Sequence, residues 1–226
     1  MKIGGLQKLS LIDYEGELSC VIFTTGCNFR CPYCHNPELV KQTSPIIDEK
    51  IVMEFLRSRV GQLTAVVITG GEPTLQPDLV DFIKQVKSMG FKVKLDTNGS
   101  NPAVIETLLK KSLIDYIAMD IKAALNRYNH VTKSQKIQDN IKESIAIIKN
   151  LAQDYEFRTT FIKGFVDSED LKDIVELVSG AKRYAIQGFR KTKTLDSSFE
   201  FYEFKEKELE ALCMFAKRFV NECILR

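Results

Sequence analysis

The amino-acid sequence predicts an α/β fold: a partial (β/α)6 TIM-like barrel with a mostly parallel sheet and outer helices, forming one domain over residues 1–226. Three observations carry this expectation. Six short runs of β-branched and apolar residues recur at roughly the length of a βα unit. Amphipathic stretches with helix start and stop signals lie between them. The chemically unusual residues fall at the C-terminal ends of those runs, where the loops of a parallel βα fold meet on one rim. Six units are too few for the closed eight-unit barrel and enough for an open, curved one.

The predicted strands are Ser19–Thr25, Ala65–Gly70, Lys92–Thr97, Tyr116–Ile121, Phe157–Ile162 and Arg183–Gly188. Near-continuous apolar runs such as "AVVI" suit strands covered on both faces. Asp48 caps "EKIVMEFLRSRV", whose Ile51, Val52, Phe55, Leu56 and Val60 share one helical face. Pro77 opens and Gly90 closes the next helix, and Asn101 with Pro102 opens "NPAVIETLLKKS". The stretch "IQDNIKESIAIIKNLA" keeps the helical period, Ser168 and Gly180 bracket another helix, and a charged helix over about residues 202–224 ends the fold. No low-complexity tract, linker or short repeat interrupts this order.

Composition excludes several classes of partner. Thirty-two basic residues against 30 acidic ones leave a net charge of +2, with no field strong enough to recruit nucleic acid or an anionic membrane. The opening "MKIGGLQKLSLIDYEG" lacks the apolar core and cleavage site of a signal peptide, and no apolar run approaches the ~20 residues that span a bilayer. A soluble, cytoplasmic protein is expected. In a reducing compartment its six cysteines are expected to bind metal or do redox chemistry rather than form disulfides.

Three of those cysteines crowd into "GCNFRCPYCHNPE", residues 26–38, as Cys27, Cys31 and Cys34. Thiolates are soft ligands that select zinc or iron–sulfur clusters. With His35 they could form a Cys₃His zinc site, although adjacent Cys34 and His35 would strain to reach one tetrahedral ion. They could instead bind three irons of a 4Fe-4S cubane, leaving the fourth iron open to a small ligand.

The CxxxCxxC spacing, with Tyr33 just before the last cysteine, resembles the signature of radical S-adenosylmethionine enzymes, and the rest of the chain resembles that superfamily strand by strand. The resemblance implies a 4Fe-4S cluster on Cys27, Cys31 and Cys34. Its open iron would chelate S-adenosyl-L-methionine, and an electron passed through the cluster would yield a 5′-deoxyadenosyl radical. It also implies cofactor-binding roles for Tyr33, for Gly70, Gly71, Glu72 and Pro73 of "GGEP" around the methionyl amine, and for Asp96, Thr97 and Asn98 of "DTNG". Asp96 and Thr97 with Asp120 and Lys122 of "MDIK" would surround the methionyl carboxylate, Arg158 would help hold S-adenosyl-L-methionine, and Gln187 would face the ribose or adenine. His35, beside the cluster, either contacts the cofactor or simply packs. In the glycyl-radical activase branch a monovalent cation is implied as well, on Asp96, Thr97, Asp120 and the carbonyl of Ala118. "LDTNG" alone would signal a hairpin, but the helical segment that follows supplies no return strand.

The chain has no second cysteine-rich insert between Cys34 and "TGGEP". The opening "GGLQKLSLIDYEGELSCVIFTTGCNFRCPYCHNPELV" and the late "AIQGFRKTKTLD" resemble the activating proteins of anaerobic ribonucleoside-triphosphate reductase. That resemblance implies hydrogen abstraction from a glycine Cα of a partner glycyl radical enzyme, anaerobic ribonucleotide reductase, with a flavodoxin- or ferredoxin-type electron donor. Two alternatives stay open. One is a radical enzyme acting on a small molecule, like 7-carboxy-7-deazaguanine synthase, which typically differs in cysteine spacing; the other is a non-enzymatic zinc or cluster-binding module. Phe189, Arg190, Lys191 and Lys193 read as a solvated basic loop and His130 as a surface residue. Cys20 reads as structural, and Cys213 and Cys223 as structural residues on different faces of the closing helix, unpaired.

Overall fold

In the computed structural model, which describes residues 1–226, every predicted apolar run is a strand. The sheet has eight strands in unbroken chain order: β1 (Ile3–Ser10), β2 (Ser19–Thr24), β3 (Ala65–Gly70), β4 (Lys92–Thr97), β5 (Tyr116–Asp120), β6 (Tyr155–Phe161), β7 (Arg183–Gly188) and β8 (Glu222–Leu225). Strands β2 to β8 run parallel, and β1 lies antiparallel on the edge beside β2. The order is linear, so β1 and β8 are free edges and the barrel is partial. The six predicted βα units are β2 to β7 with the helices that follow them.

The helices are α1 (Pro37–Lys41), α2 (Glu49–Ser58), α3 (Leu79–Ser88), α4 (Pro102–Lys110), α5 (Tyr128–Thr132), α6 (Gln138–Leu151), α7 (Ser168–Leu177) and α8 (Glu206–Ala216). Local chemistry fixes their ends. The Asp48 side chain accepts from the Lys50 N–H at the start of α2, 2.9 Å away. Asp167 and Asp170 form a reciprocal capping box on α7. Pro102 opens α4, where its missing N–H costs nothing.

Strand alternation then sorts the side chains. One face of the sheet, including Val66, Ile68, Val93, Leu95, Ile117, Met119, Phe157 and Ile186, is buried against the helices and forms the core. The other face lines the barrel interior, and on β4 to β6 it is polar: Lys94 and Asp96, then Tyr116 and Asp120, then Glu156, Arg158 and Thr160. No helix is long and apolar enough to cross a membrane.

The sheet has two strands beyond the six expected, one at each edge. The opening segment is a strand: its alternation is masked by Gly4 and Gly5, where an added Cβ on Gly4 would meet Ser44 and Thr25 at 2.5 Å. The predicted closing helix stops at Ala216, and "ECIL" pairs with β7 because its apolar residues complete a sheet edge. Cys213 and Cys223 therefore lie on different elements, and their sulfurs stand 2.9 Å apart, so the reading that kept them apart on one helix is wrong. Both remain free thiols, buried between α8 and β8.

The core is sensitive to its α3 anchor. Phe82 is fully buried under the sheet, so Phe82→Ala is expected to cost about 3–5 kcal/mol in denaturant unfolding while leaving the spectroscopic signature of the fold intact.

Candidate active site

The C-terminal ends of β2 to β7 open into a cavity of about 630 Å³. That size is within the roughly 300–1,000 Å³ of small-molecule sites. Cys27, Cys31, Cys34, Tyr33, His35, Gly70, Gly71, Glu72, Asp96, Thr97, Asn98, Asp120, Lys122, Arg158 and Gln187 all line it. Pro73 and Ala118 do not. Pro73 is buried in a 3-10 turn after β3, and Ala118 is enclosed in β5 opposite Asp96.

The cysteine loop is braced from beneath by the "GGEP" turn. Gly71 N–H donates to the Thr24 carbonyl at 2.9 Å and Glu72 N–H to the Gly26 carbonyl at 2.8 Å. A Cβ on Gly71 would lie 2.0 Å from the Gly26 oxygen, and Gly70 has a φ of +115° with the Thr24 backbone 2.5 Å from where its Cβ would be. These glycines are needed for backbone packing at the root of the loop.

Glu72 also differs from expectation. Its carboxylate is fully buried, and it accepts from Thr74 N–H (3.1 Å), Thr74 Oγ1 (2.5 Å), Thr97 Oγ1 (2.7 Å) and Asn98 N–H (2.7 Å). Burial pushes this carboxyl above its ordinary range, and the four donors oppose the shift. Glu72 clamps the end of β3 to the end of β4. Two buried carboxylate oxygens are left without a hydrogen-bond partner, Oδ1 of Asp96, with Lys94 Nζ 3.6 Å away, and Oε2 of Glu156.

The cavity floor is a charge network. Arg158 donates through Nε to Asp120 at 2.8 Å and through a terminal nitrogen to Asp96 at 3.2 Å, while Lys122 Nζ reaches Asp120 at 3.0 Å. Glu156 lies 4.0 Å from Arg158 and takes a 2.6 Å bond from Arg226. Burial alone would push Asp120 up, but Arg158 and Lys122 outweigh it and hold the carboxyl at about 2. Lys94, Lys122, Arg158 and Arg226 face Asp96, Asp120 and Glu156, so this network carries one positive charge in excess.

Thiol chemistry decides whether the loop fits a cluster. Cys27, Cys31 and Cys34 are free and face one cavity. Burial pushes the Cys27 thiol to about 11 and the Cys31 thiol to about 12, so a soft metal is needed to hold them as thiolates. The three cysteines line one space, as thiolate ligands of a polynuclear cluster would. The cation set fits less well: the Thr97 hydroxyl is turned to Glu72, and both Asp120 oxygens already serve Lys122 and Arg158.

His35 ties the loop to the exit of β7. Its Nε2 is 3.0 Å from the Arg190 carbonyl oxygen, and its ring stacks on Phe189 at 5.3 Å. Lys193 pairs with Glu38 of α1, and Asp196 N–H donates to the Pro32 carbonyl at 3.0 Å. The basic segment is thus a strap across the cysteine loop. Tyr33 packs edge-on against Phe165 and Phe201 behind it. Sequence reasoning missed Thr160 and Arg226 as lining residues. Thr160 was findable, since it follows Arg158 by two on the same strand face. Arg226 had no signal once β8 was taken for helix.

Residues 21–178 match the family model described as the radical SAM superfamily. A Methanocaldococcus jannaschii protein, provisionally named a glycyl-radical enzyme activating enzyme, is 38% identical over 99% of this chain and 95% of its own length. The pyruvate formate-lyase-activating enzyme of Clostridium pasteurianum is 25% identical over 93% of this chain and 91% of its own. Among solved structures, Streptococcus suis SuiB bound to its precursor peptide SuiA aligns with a TM-score of 0.72 at 14% identity, over 90% of this chain and 47% of that one. Methylornithine synthase aligns with a TM-score of 0.65 at 15% identity, over 89% and 63% respectively. At such identities the structural likenesses speak for the fold.

Two variants test the scaffold. Gly71→Ala is expected to cost ~1–3 kcal/mol by overpacking and to lower iron uptake on reconstitution, measured by unfolding and metal analysis. Arg158→Leu strips two half-buried carboxylates of their shared cation. With Lys122 and Lys94 still present, the loss is expected at or below the roughly 3–5 kcal/mol of a broken buried pair. In the native protein the Asp120 contribution is present above its unfolded pKa of ~3.9 and is lost as pH falls through its folded value of about 2. In the variant Asp120 loses the stronger of its two counter-charges and its carboxyl titrates higher, so urea unfolding should show the deficit in full at pH ~7.5 and a smaller one at pH ~5.

Proposed function

The chain belongs to the radical SAM superfamily, and from that premise we propose that it is an activase of a glycyl radical enzyme, with anaerobic ribonucleoside-triphosphate reductase as its partner. The observation that carries this is the single cavity uniting three free cysteines with a cation-rich floor at the C-terminal ends of six parallel strands. The names of two full-length relatives point to the same class of activity.

When bound, a 4Fe-4S cluster and S-adenosyl-L-methionine supply a carbon radical that takes a hydrogen atom from the Cα of a glycine. The chain's own residues do the holding. Cys27, Cys31 and Cys34 provide the thiolates. Arg158 and Lys122, already fixed by Asp120, present preorganised positive charge to a carboxylate at no further cost in ordering. Asp96 Oδ1, buried and 3.6 Å from Lys94 Nζ, keeps a carboxylate charge in this floor without a hydrogen bond of its own. Gln187 and Thr160 offer polar side chains on the β6–β7 wall. Tyr33 and its aromatic neighbours close the back of the loop against water. The sheet does not close on itself, which supports access of a partner's loop to the cavity. The monovalent cation stays a proposal that requires Thr97 and Asp120 to give up their present partners. The electron donor is a reduced flavodoxin or ferredoxin, and the protein works in the cytoplasm. The site residues proposed for the cofactor are those lining the cavity, with Glu72, Gly70 and Gly71 acting through the backbone.

Single changes of Cys27, Cys31 or Cys34 to Ala are expected to abolish the brown chromophore and 5′-deoxyadenosine formation together; a variant that still produces the nucleoside at the native rate overturns the assignment. Partner identity is read by anaerobic electron paramagnetic resonance: reduced protein, S-adenosyl-L-methionine and the host's anaerobic ribonucleotide reductase should give a glycyl-radical doublet. Nucleoside without a doublet would move the reading to another glycyl radical enzyme or a small substrate.

A further inference from the structure

Asn98 is held at its backbone N–H and at both polar atoms of its side chain. Its backbone N–H donates to Glu72 Oε2 at 2.7 Å, and its side-chain Oδ1 accepts from Ser100 N–H at 2.9 Å. That acceptor role fixes which end of the amide is nitrogen. The Nδ2 group then donates one hydrogen to Asn28 Oδ1 at 3.0 Å and lies 3.9 Å from the sulfur of Cys27, toward which its second hydrogen is free to point. The same sulfur takes a backbone N–H from Phe29 at 3.3 Å. Asn98 itself is buried, on the turn that leaves β4.

We propose that Asn98 is a positioning residue that sets the reduction potential of the cluster through a hydrogen bond to Cys27, rather than a residue whose chief task is to contact the nucleoside or amino-acid part of the cofactor. Reduction adds negative charge to an iron–sulfur cluster, and N–H dipoles aimed at a ligand sulfur stabilise that charge. Two donors on Cys27 therefore raise the potential and make the reduced state easier to reach. Clamping by Glu72 and Ser100 keeps the amide from turning away. The inference rests on the cluster assignment of the proposed function.

The test is a potentiometric titration of the reconstituted cluster, followed by electron paramagnetic resonance, with neither S-adenosyl-L-methionine nor partner present. Asn98→Ala is expected to move the midpoint to more negative potential, lowering the reduced-to-oxidised ratio at the wild-type midpoint about tenfold, or ~59 mV for a one-electron couple. Asn28→Ala keeps the amide on the sulfur and removes only the loop tie, so its midpoint should stay with the wild type. Should Asn98→Ala fail to hold iron, Asn98→Asp retains the acceptor for Ser100 and loses the donor, and must also shift negative. An unshifted midpoint in an iron-loaded Asn98 variant, or an equal shift in Asn28→Ala, overturns the inference and leaves the functional reading standing. A wild-type protein that takes up no iron overturns both.

Discussion

One guanidinium organises the interior of this barrel. Asp96 and Asp120 project from neighbouring strands into the same space, where two bare carboxylates would repel and refuse to ionise together. Arg158, from the next strand along, bridges them with its planar fork, and a lysine could not span both in fixed geometry. Lys122 then completes the outer side of Asp120. Such buried networks add little net stability over an apolar core. What they give here is a polar, positively biased floor that is already in place before any ligand arrives, so no side chain has to be reoriented when charge is delivered to it.

The second constraint is backbone proximity. The turn after β3 lies so close to the start of the cysteine loop that neither of its glycines could carry a side chain. Glu72 converts that closeness into a three-way junction, joining its own turn, Thr97 and Asn98 at the end of β4, and through Asn98 the cysteine loop itself. The strap after β7 fastens the same loop from the opposite side through His35, Glu38 and Pro32. A loop that must present three sulfurs in fixed relation is thus held by elements on either side of it, as precise sites require.

Much of this was legible in the sequence because the signals were local. The cysteine spacing, the apolar runs of β3 and β5 and the cap at Asp48 each announce themselves within a few residues. What stayed hidden depended on distant partners. Glu72 reads as a ligand group until the four donors around it are seen, two from Thr74 in its own turn and two from Thr97 and Asn98 at the end of β4. Gly71 reads as room for a ligand until Gly26 is found beneath it. The final strand failed for a different reason: "ECIL" is too short to show a period, and only the open edge of β7 selects strand over helix. The closeness of Cys213 and Cys223 follows from that strand and was invisible without it.

Arg226 gives the fold a built-in order of completion. Glu156 is wholly enclosed, and its ion-pair partner at 2.6 Å comes from the residue just past the eighth and last strand of the sheet. Synthesis proceeds from the N-terminus, and domains generally fold as their residues emerge. The cysteines, the clamp at Glu72 and Arg158 itself all precede that strand in the chain. A nascent chain can therefore lay down nearly the whole sheet and still enclose a carboxylate lacking its closest counter-charge, which disfavours the compact state. The Glu156 pair forms only when β8 docks, so a segment made after the cysteines, Glu72 and Arg158 completes the charge network beneath them.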